Sequence, residues 1–267
     1  LGAMTLVGIA AGTGATFVLG DAPLLYFLIA LVVVISIVPT LWAAQGEGEL
    51  APPPVQHKSF GDRAREFLRP LHEGDLAWVI FTRLMVSAGI TVVQINLVNF
   101  FRYVVLGGAP SDKFTAIWLL VVTLTALPFG LAGGLLSDRF HRRKIFVYIS
   151  GAAQAFVAIV FVILYPTAQG LVFALGVAYG VGYGLYYAVD WALACDTLPD
   201  KSQSAKDMGL FHIALTLPQS VIPFFSGPII AAFNGPSGNG GYRVVFSSAV
   251  VFMALGTAFV SRIKTVR

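Results

Sequence analysis

Two ionised residues stand where a charge is costly. Arg83 precedes a stretch, 84–101, that holds no charged residue, and Asp190 follows another, 145–189. An ionised side chain in hydrocarbon costs at least ~2.5–3.5 kcal/mol, so each needs a physical reason to be there. Arg83 lies eight residues after Asp75, and Asp190 seven residues before Thr197, where its apolar stretch ends. At about 1.5 Å of helix rise per residue, both sit ~10 Å inside the same boundary. Equal depth and opposite sign predict an intramembrane pair. Three readings stay open. The pair is structural, or Arg83 snorkels towards the headgroups, or Asp190 exchanges a proton during function.

Three apolar stretches carry polar stripes at helical spacing. Arg83, Ser87, Thr91 and Gln94 share one helix face. Tyr179, Tyr183, Tyr186, Tyr187 and Asp190 share a second, with Gly176, Gly180 and Gly184 beside it. His212, Thr216, Gln219, Ser220 and Ser226 share a third, interrupted by Pro218 and Pro223. The residues able to meet a solute are therefore Gln94, Tyr183, Tyr187, Asp190, His212 and Gln219. Tyrosine rings stack on the CH face of a pyranose, while carboxylates and amides bond its hydroxyls. The plainer alternative is helix-on-helix packing through small residues. The prolines either kink their helix or mark where a gate bends. His57, His72, His141 and His212 form no H-E-x-x-H and no metal cluster, and His212 reads as a hydrogen-bonded cavity residue. With Cys195 as the single cysteine, no disulfide framework, metal site, cofactor or enzyme activity is expected. One further pattern stands between two apolar stretches: Gly134-x-x-x-Asp138-Arg139-x-x-Arg142-Arg143, followed by Lys144.

The elements that position these residues are legible from composition. Of 267 residues, 57% are hydrophobic and 11% charged, with mean hydropathy +0.81. A soluble domain is nearer a quarter charged. A disordered chain, a nucleic-acid module and an ordinary soluble enzyme are excluded, and the net charge of +4 does not imply a nucleic-acid partner. A crossing helix needs ~20 apolar residues. Eight spans are predicted: 1–20, 23–45, 76–106, 114–137, 145–165, 171–195, 208–233 and 244–261. Period-2 alternation is absent, which leaves an all-α membrane protein. Thirteen of the seventeen Lys and Arg fall on alternate loops of one side. The positive-inside rule puts that side, with the C-terminus, in the cytoplasm of a multi-pass protein of a plasma or inner membrane. Within loop 46–74 the Gly/Glu/Pro stretch reads as a linker. Ser59–Leu71 reads as an amphipathic helix on the inner membrane surface, or else as a tether. Counting from the third span, polar stripes fall on spans 3, 6 and 7, while spans 2, 5 and 8 are apolar enough to face lipid.

The loop pattern G-x-x-x-D-R-x-x-R-R between two spans resembles the loop motif of the major facilitator superfamily, with His141 where the family has its second glycine. The resemblance covers the whole chain and implies a major-facilitator fold. Residues 1–45 become the last two helices of the N-terminal half, 46–74 the cytoplasmic central loop, and 75–267 the C-terminal six-helix half. The chain is then eight helices of twelve, numbers 5–12, with four expected before Leu1. The resemblance makes Gly134, Asp138, Arg139, Arg142 and Arg143 a cytoplasmic gate. Asp138 is expected to pair with Arg142 and to meet the N-terminus of the first span. Asp190-Trp-Ala-Leu-Ala-Cys-Asp196-Thr-Leu-Pro199, Ala205-Lys206-Asp207-Met-Gly209 and Leu217-Pro218-Gln219-Ser220 resemble the glycoside–cation and sucrose–proton symporter branch. The implied function is ion-coupled secondary transport of a small polar solute, sugar-like first, with H+ or Na+ as coupling ion and lipid as the other partner. Drug or metabolite–proton antiport is the alternative, although the Gly/Pro motif of such antiporters is absent around Gly8, Gly12 and Gly14. A non-transporting or truncated membrane protein is the third reading.

Overall fold

The computed structural model describes residues 23–44, 59–71, 74–140, 142–198, 204–235 and 239–264. The predicted first span, the Gly/Glu/Pro linker, His57, His72 and His141 lie outside the described residues. Among the described residues there are helices and connecting turns and no strands. They comprise α1 (Pro23–Ala44), α2 (Phe60–Leu68), α3 (Gly74–Phe100), α4 (Asp112–Phe140), α5 (Arg143–Ile163), α6 (Gln169–Asp196), α7 (Ser204–Phe233) and α8 (Gly240–Phe259).

Six of these, α3 to α8, are long and apolar enough to cross a membrane. Their bounds follow the charges and turn formers in the sequence. The α3 helix passes into a π-turn at Phe101–Val105 and stops at Gly107 and Gly108, both at positive φ. Glycine adopts that backbone without a Cβ clash. Between α4 and α5 the chain turns at Arg142, which is non-helical (φ −129°, ψ 61°). The α1 helix is apolar throughout, and its described side chains are exposed. The α2 helix covers the amphipathic stretch. Its Phe67 packs against the core, whereas Leu68 is exposed, as is Leu71 in the turn that follows.

The six long helices form one bundle. The α4 helix packs on α6, α6 on α5, α5 on α8, α8 on α3, and α3 on α7. Glycines set the closest of these approaches. A Cβ on Gly180 would sit 2.6 Å from the carbonyl oxygen of Val122, and one on Gly184 would overlap the backbone of Ala126. The glycines beside the tyrosine stripe thus seat α6 on α4, and of the tyrosines Tyr179 also meets α4, its ring 5.8 Å from that of Trp118.

Two apolar clusters hold the bundle at its two ends. One gathers Phe100, Phe101, Trp118, Phe161, Tyr242 and Phe246. The other gathers Leu76, Val79, Val189, Leu193, Phe211 and Val260 at the end that carries the basic loops. At the aromatic end the Tyr165 hydroxyl donates to the Asn239 carbonyl, and the Asn239 amide donates to the Tyr103 carbonyl at 3.2 Å. This ties the ends of α3, α5 and α8 together. Tyr165 adopts φ 49°, and its ring lies 4.8 Å from the Arg243 guanidinium. Burial pushes its phenol up to about 12, with Arg243 pulling the other way.

Candidate functional site

A polar group lies where the two clusters meet, with Tyr186 in the first and Phe211 in the second. Arg83 and Ser87, one helical turn apart on α3, face Tyr186 and Asp190, one turn apart on α6. All four are buried. Arg83 Nη1 donates to Asp190 Oδ2 in an ion pair. The guanidinium carbon also lies 3.9 Å from the centroid of the Phe211 ring and 5.7 Å from that of Trp191. The cation is thus held by one carboxylate and one aromatic face. Its Nε and Nη2, with the Ser87 and Tyr186 hydroxyls, make no hydrogen bond to a described residue. Nothing in the residue pattern marks out Phe211 beforehand, and Trp191 stands out only as part of the stretch that begins at Asp190.

One to three turns along the same two helices the site becomes more open. The Tyr183 phenol lies within reach of Gln94 and Tyr187. The rings of Tyr183 and Tyr187 have centroids 4.6 Å apart, and Tyr179 stacks on Tyr183 at 6.2 Å. Tyr183 is buried, Tyr187 half-buried and Gln94 exposed. The fold therefore brings Gln94, Tyr183 and Tyr187 into one group, continuous along α6 with the Arg83–Asp190 pair. His212 and Gln219 are exposed on α7, and neither side chain bonds a described residue. Thr216 and Ser220 bond back to carbonyls of their own helix. Three prolines, 218, 223 and 228, lie inside α7. Pro223 lacks the N–H that would bond the Gln219 carbonyl, leaving a backbone acceptor beside that amide side chain.

A cavity of about 820 Å³ opens towards the aromatic end between α3, α7 and the start of α8. Asn96 and Asn99 of α3, Tyr103, Ser226, Asn234 and Asn239 give it polar walls, and no charged residue lines it among the described residues. The buried Asn96 donates its amide N–H to the Val92 carbonyl at 2.8 Å, and Asn99 is exposed. Asn96, Asn99 and Tyr103 follow the i, i+3, i+7 spacing of one helix face. That signal is present in the sequence, but no charge draws attention to it.

At the basic end Arg143 links three helices. Its Nη2 lies 3.3 Å from Asp138 Oδ1 at the end of α4, and its Nε lies 3.0 Å from Asp196 Oδ2 at the end of α6. It is Arg143, the first residue of α5, that reaches Asp138, and not Arg142 as the motif led us to expect. Arg142 precedes the helix and is exposed, as is Arg139. Asp196 escapes sequence reasoning as a partner, because a carboxylate at a span's end looks like any solvated charge. Gly134 has an open flank: a Cβ added there would meet the Ala188 Cβ first, at 4.0 Å.

A family model described as Major Facilitator Superfamily matches residues 1–223. The chain belongs to the major facilitator superfamily. It is an integral, multi-pass membrane transporter, whose partners are a small-molecule solute and membrane lipid. Proteins of the major facilitator superfamily are generally not enzymes, and the described residues contain no group of three His, Cys, Asp or Glu able to hold a metal ion. Among curated proteins, none is significantly similar to this one in sequence.

Proposed function

We propose that this transporter moves a small, neutral, polar solute, sugar-like in its first reading, by ion-coupled alternating access. The observation that carries this is the lining of the α3–α6–α7 face. The group Gln94, Tyr183 and Tyr187 joins rings to an amide, and the neighbouring cavity offers asparagines, a serine and two tyrosines with no charge among the described residues. Amides both donate and accept, which suits vicinal hydroxyls, and tyrosine rings stack on sugar CH faces. A cavity of about 820 Å³ is within the usual range for small-molecule sites, ~300–1,000 Å³. Gln94, Tyr183, Tyr187, His212 and Gln219 are the proposed solute contacts. Asp190 is the proposed coupling carboxylate, held ionised by Arg83 in one state and protonated in another.

In this reading α3 to α8 are the C-terminal half, joined by the cytoplasmic loop 46–74 to an N-terminal half whose last two helices are 1–45. The two halves rock around a midplane site. The basic end with the C-terminus faces the cytoplasm, where Gly134, Asp138, Arg139, Arg142 and Arg143 form the gate. Proton-coupled antiport of a drug or metabolite is the second reading, favoured by the aromatic rather than amide share of the same face. The test is uptake by the full-length protein in proteoliposomes, against a panel of neutral sugars and aromatic cations, with imposed pH or Na+ gradients. Gradient-dependent sugar uptake that weakens in Gln94→Ala and Tyr183→Phe supports the first reading. Transport of aromatic cations with no sugar uptake overturns it.

A further inference from the structure

A second cavity, of about 600 Å³, lies at the basic end where α3 begins and α8 ends. It is walled by Leu71, Asp75, Trp78, Phe81, Arg262 and Lys264. Its apolar side is built of rings. Trp78 stacks parallel on Phe259, centroids 5.5 Å apart, and Phe81 meets both edge-on at 6.1 and 5.3 Å. Its polar side carries two cations. The Arg262 guanidinium lies 5.9 Å from the Trp78 ring, and neither Arg262 nor Lys264 forms an ion pair with a described residue. One carboxylate is present. Asp75 accepts the Lys264 backbone N–H at 2.6 Å, which fixes the course of the chain across the cavity. Among the described lining residues, the two cations outweigh the one carboxylate.

The position of this cavity selects its occupant. Trp78 is one turn inside the start of a membrane-length helix, the depth at which tryptophan marks the interface between headgroups and hydrocarbon. Arg262 and Lys264 follow directly on another such helix, at headgroup level. Leu68 and Leu71 present exposed apolar side chains at the same end, before α3. A soluble anion would use the cations and have no use for an aromatic wall. An acyl chain would use the wall and have no use for the cations. From the two together we infer that this groove between α3 and α8 is a binding site for an anionic phospholipid. The phosphate lies between Arg262 and Lys264, and the glycerol and upper acyl chain lie along Trp78 and Phe81, which Phe259 backs. Basic pockets beside membrane helices recognise anionic headgroups in this way. The site does not depend on the solute or on coupling, so the inference stands or falls apart from the transport reading.

The test is lipid binding by the purified full-length protein in detergent, read by native mass spectrometry with phosphatidylglycerol, phosphatidylcholine and inorganic phosphate as probes. The expected result is saturable phosphatidylglycerol binding, preferred over phosphatidylcholine and not displaced by millimolar phosphate. The double variant Arg262→Gln/Lys264→Gln should lose about thirtyfold in affinity, roughly fivefold for each basic residue near the headgroup. The charge-keeping variant Arg262→Lys/Lys264→Arg should retain binding. Neutralising two charges elsewhere on the same end, Arg142→Gln/Lys144→Gln, should leave it unchanged. Equal loss in both neutralised variants would show only a diffuse attraction to the basic end and overturn the site. Displacement by phosphate would make it a soluble-anion site, and undiminished binding in Arg262→Gln/Lys264→Gln would remove it altogether.

Discussion

Arg83 is buried and held from two sides. One nitrogen is paired with Asp190, its π-face contact is Phe211, and two nitrogens have no acceptor among the described residues. Taking away either partner strands the other charge among apolar neighbours, which typically costs ~3–5 kcal/mol where water cannot reach. Arg83→Ala and Asp190→Ala should therefore each lower the melting temperature of the detergent-purified protein. The double variant should recover part of the loss, since the stranded charge is gone. Asp190→Asn separates structure from coupling. If Asp190 carries the coupling proton, this variant stays folded while uptake loses its dependence on the pH gradient. An intact pH dependence in Asp190→Asn, with a double variant no better than the worse single one, would leave neither role standing.

At the scale of helices, two junctions do different work. The seam between α4 and α6 is close because Gly180 and Gly184 have no Cβ, and their neighbours there are largely backbone atoms that cannot rotate away. Gly184→Val should cost stability by about 1–3 kcal/mol or more, as overpacking does, and thermal denaturation would register it. Gly134, with room on its flank, should tolerate alanine in the same assay. The junction at the basic end is of another kind. Asp138 is 67% exposed in its pair with Arg143. An exposed ion pair stabilises by only ~0–1 kcal/mol, so it can be made and broken cheaply as helices shift. Asp138→Asn and Arg143→Gln should therefore slow transport several-fold, with solute affinity near normal and little change in melting temperature. A large loss of affinity at an unchanged rate would place these residues with the solute and not at a gate.

At the scale of the whole molecule, the bundle has one wet face in the proposed reading and one lipid face. Cysteine scanning on a Cys195→Ser background tests the division, because the native thiol is exposed. Cysteines at Gln94, His212 and Gln219, all exposed on α3 and α7, should react quickly with a small hydrophilic thiol reagent. Cysteine at Val251 is 54% exposed by geometry, yet it should resist, since lipid and not water covers it. Cysteine at Tyr183 or Asp190, both buried here, should react only when the protein cycles, and more slowly than at Gln94. Equal labelling at Gln94 and Val251 would mean that the helical faces are wrongly assigned.

How much of this is legible in the sequence follows from the range of each force. Apolar length and charge placement are local, so the six long helices, the turn at Arg142 and the amphipathic stretch at 60–68 can be read one segment at a time. The stripes on α3 and α6 reveal which residues share a helix face, because 3.6 residues per turn is a property of the backbone alone. Periodicity says nothing about what a face meets. Only the packing decided that the lower α3 stripe is buried against α6 while the α7 stripe from His212 to Ser220 stays exposed and Ser226 is buried, and that the glycines of α6 serve α4. It also decided that Arg143 rather than Arg142 reaches Asp138, since one residue of helix phase separates a side chain aimed at α4 and α6 from one in the turn. The two cavities lay furthest from view. Each gathers residues from helices far apart in the chain, at Asn96 and Asn234 or at Trp78 and Arg262, and such a meeting exists only once the bundle has closed.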